Sequence, residues 1–516
     1  MNIVIVGGGT AGWLTALYSK KIFPEHEIIL VESKQIGILG AGEASTPHLI
    51  QILDFLEIPT SELIKNTNAT IKTTAKFTGW SNNSKDFFYH PFQYYNNLLS
   101  EQDGYLDSFK TDTNVFHLFS YLKNISTDEY CLINKLCNNN LVPFTKTSNF
   151  TNFDPIQNYT QIGGWSLNFD AKLLAEYFST IGEKRKIKKV EGKIQEIFLN
   201  DKEEISSLLL EDGASINCDF VFDCTGFARL LIGKKYSSKW ISYKEYLPTN
   251  KALPFFLDID KEKEIPPYIE AIAMDYGWMW KTPLQNRYGC GYVYDSNYLS
   301  DEDAKKEIEE YLGFEPIYPR KDKGAFNFEA GCFEEIWIKN CLAVGLSSGF
   351  IEPLEATSIM QTVIILQRFM SEKENFVTKN NLIKQKFNKM FINETEEIVN
   401  FLYLHYITNK NNSIFWKNFT KNNKMPKFCK YIVKVCNDKP LTHSFDFDEQ
   451  KIFGILSYYY ILLGNKIIKK NKMLAQTNNF YDLNKKIKEY NIIVNNQLTT
   501  TLSCIKHAKF IDYLKE

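Results

Sequence analysis

Three glycines near the amino terminus decide what this chain can begin as. Asn2 to Val6 is a short apolar run, rich in Ile and Val, that reads as a buried parallel strand. Gly7, Gly9 and Gly12 follow at G-x-G-x-x-G spacing, and Ala11, Leu14, Ala16 and Leu17 then open a helical pattern. Gly7 permits the tight turn, Gly9 lets backbone approach a pyrophosphate, and Gly12 lets helix and strand pack closely. Thr10 and Ala11 fall in the first helical turn, where orphan amides and the helix dipole favour an anion. Twenty residues past Gly12, Ile28-Ile29-Leu30-Val31-Glu32 reads as a second strand ending in an acid, placed to hold a ribose hydroxyl. An ordinary βαβ unit with a glycine-rich turn would need only the glycines. Strand, helix, second strand and terminal Glu32 in register predict dinucleotide binding.

Composition limits the rest. A chain of 516 residues exceeds one ordinary domain, and 44% hydrophobic residues supply ample core. The formal net charge of −1 gives no bulk electrostatic case for nucleic acid or an acidic membrane. The ten cysteines are scattered singly without a C-x-x-C, so no metal site is expected and a reducing, cytoplasmic compartment fits best. A strand beginning at residue 2 leaves no room for a signal peptide, and no apolar run reaches the ~18 residues of a membrane span.

Further along, Gly40-Ala41-Gly42-Glu43-Ala44, before Pro47, reads as a loop in which backbone approaches something closely, with a helix from His48 to Leu56. Thr67 to Trp80 reads as one strand, with Lys72, Thr74, Lys76, Thr78 and Trp80 on one face. An amphipathic helix is expected over 168–181 with Leu173, Leu174, Tyr177, Phe178 and Ile181 inward, then a strand meander over 187–222. Asp219 to Gly226 and Cys341 to Leu346 read as apolar strands, the first stopping at small residues, and 271–294 as further strands. Pro353 suits the first turn of a helix continuing through Leu366, and the chain from about 365 onward reads as mostly helical.

These residues carry a resemblance to the flavin-dependent halogenases, the branch typified by tryptophan halogenases. Its motifs occur in order: V-G-G-G-T-A-G-W at the amino terminus, G-x-G-E-A-[ST]-x-P at Gly40 to Pro47, and N-x-x-x-K-x-x-x-K-F-x-x-W at Asn68 to Trp80. Then come F-Y-H-x-F at Phe88 to Phe92, F-D-A-x-L at Phe169 to Leu173, W-x-W-x-x-P at Trp278 to Pro283, and G-L-S-S-x-F-x-E-P-L-E-x-T at Gly345 to Thr357. The resemblance implies an α/β fold: a flavin-monooxygenase-like, Rossmann-type FAD domain with mixed sheets over 1–365, including a substrate-side segment at about 81–165, and a mostly helical substrate-site subdomain over 366–516. It implies FAD, used as FADH2 and supplied by a separate flavin reductase, with chloride, bromide or iodide as co-substrate. Halide is oxidised to hypohalous acid, which travels through a tunnel to a lysine and halogenates a small aromatic substrate.

Residue by residue, Lys72 matches the catalytic lysine and Glu355 the catalytic glutamate, with Glu352 the lesser candidate. An ammonium could polarise hypohalous acid, and a free amine could form a haloamine; the sequence leaves both open. Gly345 and Leu346 join the cofactor set. The backbone amides of Thr357 and Ser358 match the halide site, where Ala356-Thr357-Ser358 departs from the usual S-T-G and could alter halide preference. Trp278 and Trp280 match the indole pair that shields the flavin from substrate. His90 and Phe92 match the substrate pocket, with Phe92 as a stacking face. No Tyr-Tyr-Glu clamp occurs around Leu441 to Leu463, and Phe453 stands near the position of the clamp's tryptophan, which favours indoles or phenols over a dedicated free-tryptophan pocket. A homo-oligomer is compatible with the sequence. Two rival readings share its features: a flavin-dependent aromatic hydroxylase of the same fold, and a catalytically silent FAD-binding protein.

Overall fold

The structure is a computed structural model that describes residues 1–33, 42–92, 131–146, 154–260, 264–320, 324–422, 424–438, 452–468 and 503–515. The chain divides into two compact units, each built from three segments. One comprises Met1–Ala69, Phe169–Lys244 and Phe328–Glu396, the other Thr70–Asn168, Glu245–Asn327 and Glu397–Glu516. The division is interleaved, where the sequence reading drew a single boundary near residue 365.

In the first unit β1 (Asn2–Val6), α1 (Thr10–Ile22) and β2 (Glu27–Glu32) form the expected βαβ start. β1 lies parallel to β2 on one side and to Phe220–Asp223 on the other. Lys188–Glu191 extends the sheet beyond β2, and Cys341–Ala343 then Trp337–Ile338 extend it beyond Phe220–Asp223. Ile3, Val4 and Ile5 are fully buried, as expected of a central strand covered on both faces. Because these strands are parallel except for Trp337–Ile338, Val6, Glu32, Asp223 and Ala343 finish at the same edge. That edge is where open α/β sheets bind ligands. Asp223 is fully buried there. Its Oδ1 accepts from the Thr225 amide and hydroxyl at 3.1 and 2.7 Å, and its Oδ2 accepts from the Leu231 and Ile232 amides at 2.9 Å each. The expected helix over 168–181 runs Ala171–Lys184, because Asp170 caps it by accepting from the Lys172 and Leu173 amides. Leu174 and Phe178 are buried on it, whereas Leu173, Tyr177 and Ile181 are only partly so. The meander is three antiparallel strands: Ile194–Leu199, Ile205–Leu210 and Ser215–Asn217.

In the second unit seven strands form one sheet, in the order Phe326–Asn327, Lys251–Asp258, Arg287–Tyr294, Gly277–Pro283, Tyr268–Ala273, Thr74–Thr78 and Phe87–Pro91. The single strand expected over 67–80 is two. Thr70–Lys72 pairs with the strand Ser166–Asp170, with Lys72 opposite Ser166, and Thr74–Thr78 joins the seven-stranded sheet. The break is at Thr73, whose amide and hydroxyl both donate to the Pro267 carbonyl at 2.8 Å. Among the described residues the C-terminal part is mostly helical, with Ile414–Asn422, Lys427–Asp438, Ile455–Gly464 and His507–Lys515, plus one strand, Cys504–Lys506, beside Leu141–Lys146.

The α1–β1 contact is set by a hydrogen atom. A Cβ on Gly12 would lie 1.8 Å from the Gly7 carbonyl oxygen, a backbone atom that cannot swing away. Gly12→Ala should therefore lower unfolding free energy by about 3 kcal/mol or more in a denaturant titration. Gly9→Ala, whose Cβ meets nothing within 4 Å among the described residues, should stay within about 1 kcal/mol of wild type. Equal stabilities of the two variants would refute a fixed helix–strand distance.

Candidate active site

The glycine loop has the shape of an anion cradle. Gly7 has φ 119°, and a Cβ there would meet the Cys224 carbonyl at 2.1 Å. Gly9 caps α1 without any capping side chain, so the amides of the first turn, which a helix cannot satisfy internally, stay available. Open space beside Gly9 and those free donors are what a dinucleotide pyrophosphate requires, so the residues fit the expected flavin nucleotide. Gly345 has φ 69°, and a Cβ on it would lie 2.6 Å from that of Ala11. The fold thus brings Gly345, and with it Leu346, to the first turn of α1. Glu32 sits against Gly8, where a Cβ would be 1.7 Å from a carboxylate oxygen, and its other oxygen pairs with Lys189 at 2.6 Å. Gly42–Ala44 is a short strand; Gly40 and Ala41 lie outside the described residues. The partly buried Glu43 carboxyl is pushed up to about 7, by desolvation first and then by the Asp170 carboxylate.

The expected helix start at Pro353 is corrected. Pro353 precedes a 3-10 turn, Leu354–Ala356, and the helix begins at Thr357 and runs to Met370. Glu355 and Ala356 stand between with φ 68° and 56°, two consecutive left-handed residues, because the chain must re-aim before the helix can start. Glu355 is 7% exposed. Thr357 and Ser358 are the first two helical residues, with no side chain capping them, so their amides remain donors.

In the second unit Lys72 is 1% exposed. Its Nζ lies 4.9 Å from the centroid of the Phe92 ring. Lys76, placed on the same face by the sequence, instead forms an ion pair with Glu270 at 3.4 Å and covers the rings of Phe87 and Tyr268. His90 is buried, 5.5 Å from the Phe401 ring and 6.2 Å from Tyr460. Phe401 in turn stacks on Phe453 at 3.8 Å, and the Ile452 and Phe453 amides donate to Glu397. His90 and Phe453 therefore share one aromatic cluster. Trp278 and Trp280 project from one face of Gly277–Pro283 with ring centroids 6.5 Å apart. Trp278 is buried and its indole N–H has no partner among the described residues, while the Trp280 ring lies over Gly291, the residue paired with it across the hairpin. The strand carrying Lys72 is tied to this hairpin by the Thr70 hydroxyl, which donates to the Pro283 carbonyl at 2.7 Å.

A family model described as tryptophan halogenase matches residues 2–479. This chain belongs to the tryptophan halogenase family. It is 32% identical over 437 residues to the tryptophan 6-halogenase of Streptomyces toxytricini, covering 82% of each chain. It is 28% identical over 430 residues to a tryptophan 7-halogenase of Lentzea aerocolonigenes, covering 81% of this chain and 78% of the other. The crystal structure of the S. toxytricini enzyme superposes with a TM-score of 0.84 at 28% identity over 99% of both chains. A flavin-dependent halogenase from Brevundimonas shares the fold, with a TM-score of 0.82 at 24% identity, covering 100% of this chain and 99% of that one.

The protein is thus a flavin-dependent halogenase acting on aromatic substrates, which sets aside the hydroxylase and silent-protein readings. FAD and halide belong to that chemistry, as does a separate flavin reductase. Among the described residues no helix is long and apolar enough to cross a membrane.

Sequence reasoning missed His507. Its Nε2 accepts from the Ile71 amide at 2.9 Å, and its Nδ1 lies 3.0 Å from the Ile265 carbonyl, so the proton sits on Nδ1 and the ring is neutral. It braces the residue before Lys72 from 436 positions away, a distance no local motif spans. Burial pulls its pKa down to about 4 against two carbonyl contacts.

Two expectations follow for this halogenase. The unfolded His507 takes a proton near 6.5 and the folded one only near 4, so between these values the unfolded state binds more protons. Stability from the neutral ring is complete above pH 6.5 and lost as pH falls toward 4, by roughly 3 kcal/mol. Denaturation across that window should show His507→Gln losing about this much less than wild type, and parallel curves would remove the assignment. Gly9→Val should leave the apoprotein melting within about 2 °C of wild type yet abolish retention of FAD, read by flavin absorbance after gel filtration. A variant that keeps its flavin would take the cradle out of the mechanism.

Proposed function

We propose that this halogenase uses Lys72 to present an electrophilic halogen to an indole- or phenol-like ring. The observation that carries the reading is the buried side chain of Lys72, its Nζ 4.9 Å from the centroid of the Phe92 ring. Taking a lysine side chain out of water is costly, so its burial at this place is a built feature of the fold. Lys76, the motif's second lysine, pairs with Glu270 at 3.4 Å and is more exposed than Lys72.

When bound, reduced FAD with oxygen supplies the oxidising equivalent that turns halide into hypohalous acid. The amides of Thr357 and Ser358 are suited to hold the halide. Trp278 and Trp280 form an indole wall that keeps a substrate ring from the flavin. The hypohalous acid is presented at Lys72, through a hydrogen bond from the ammonium or as a haloamine. Glu355 takes the proton that the ring loses when the carbon–halogen bond has formed. His90, Phe92 and Phe453 offer aromatic faces without the Tyr-Tyr-Glu clamp, which supports an indole- or phenol-like ring over the tryptophan named for the two tryptophan halogenases above.

Incubation with FAD, a reductase, NADH and each halide against indoles and phenols, read by mass spectrometry, should give a halide-dependent product. Lys72→Ala should cut that product by at least about 100-fold while binding FAD normally, and Lys76→Ala should retain it. Undiminished product from Lys72→Ala would end the role assigned to Lys72.

A further inference from the structure

The helix Leu132–Asn138 carries a side chain with an unmet need. Asn134 is 0% exposed, and neither its amide oxygen nor its amide nitrogen has a hydrogen-bond partner among the described residues. Buried amides are hydrogen-bonded almost without exception, and each exception calls for a cause. The neighbouring Asn138 shows the ordinary case, since its Oδ1 accepts from the Tyr89 hydroxyl at 2.9 Å.

The position of Asn134 on the helix supplies the cause. Residues three apart share one helix face. At i−3, the Cys131 thiol lies 3.7 Å from the Tyr460 hydroxyl, and the Tyr460 ring is 6.2 Å from His90. At i+3, the Cys137 thiol lies 3.2 Å from the Thr73 hydroxyl. Thr73 directly follows Lys72, and its carbonyl accepts the Phe92 amide at 3.0 Å. Asn134 thus stands midway along a stripe whose two ends touch the supports of His90 and of Lys72 and Phe92.

We propose that Asn134 is a specificity-determining residue whose amide oxygen accepts a hydrogen bond from an N–H or O–H on the substrate's aromatic ring. The preferred substrate class is then a ring bearing its own donor, and rings of the same shape without one are rejected because the buried acceptor stays unpaired. This rests on the proposed halogenase role of Lys72. No bond to Asn134 is made or broken covalently.

Indole and 1-benzothiophene share a shape, and only indole has an N–H. The expected result is that Asn134→Leu lowers kcat/KM for indole at least tenfold and leaves that for 1-benzothiophene within twofold. Comparing each variant with wild type cancels the rings' intrinsic reactivity. Asn134→Ala repeats the comparison with a smaller side chain, and flavin content verifies that both variants fold. Apoprotein Asn134→Leu should melt at or above the wild-type temperature, because the unpaired amide is gone. An unchanged indole to 1-benzothiophene ratio in both variants overturns the proposal. Should the wild-type holoenzyme halogenate neither ring, the proposed function fails separately. Calorimetric titration of the same holoproteins with indole then decides Asn134: a tenfold weaker Kd in Asn134→Leu supports it, and equal binding overturns it.

Discussion

A lysine side chain held out of water is the constraint around which the second unit is built. Lys72 cannot be buried by accident, because desolvating its charge opposes folding. The surrounding structure fixes its place through backbone, which side-chain motion cannot relax. Thr73 leaves one sheet for another and ties itself twice to the Pro267 carbonyl. Thr70 holds the other end of the strand to Pro283, and His507 takes the Ile71 amide. With Thr70, Ile71 and Thr73 each anchored to a distant segment, the one residue between Ile71 and Thr73 has little freedom left. Phe92 is drawn beneath it because its own amide donates to Thr73.

The first unit follows a complementary logic, leaving backbone donors uncapped where two of its helices start. α1 and the Thr357–Met370 helix both start without a capping side chain. A side-chain cap would occupy one of these amides and stabilise by about 1 kcal/mol; without it the first-turn amides remain donors. Gly345 presses against Ala11 at the same place, which joins the two ends of the sequence fingerprint across more than 300 positions. Asp223 shows the opposite treatment nearby. With no ligand to await, its carboxylate is saturated by four protein donors.

What the sequence disclosed follows from what physical chemistry makes local. The glycine spacing, the buried run of β1 and the Asp170 cap each depend on a few neighbouring residues, and their elements fall within a few positions of expectation. The Thr67–Trp80 segment misled because alternation persists through Thr73 while the partner strands change, and a pattern of period two contains no record of its partner. Lys189 beside Glu32, His507 behind Ile71 and Phe401 between His90 and Phe453 were invisible for the same reason. Each acts across tens to hundreds of residues, where only the fold sets the distance. Asn134 was also unreadable, since its significance is a missing partner, and absence has no motif.

Glu355 and Ala356 show how the two kinds of information meet. The motif identified Glu355, but it also suggested a helix running from Pro353, in which the glutamate would merely complement the dipole. The structure places Glu355 and Ala356 in the left-handed region, at roughly 1–2 kcal/mol each for a residue with a Cβ. Glycine would remove that cost at either position. At Glu355 the side chain is the reason glycine is absent: the reversal turns a buried carboxylate away from the path a regular helix would impose. At Ala356 no functional group explains the Cβ. Alanine there nevertheless leaves the amides of Thr357 and Ser358 free of a competing side-chain hydroxyl.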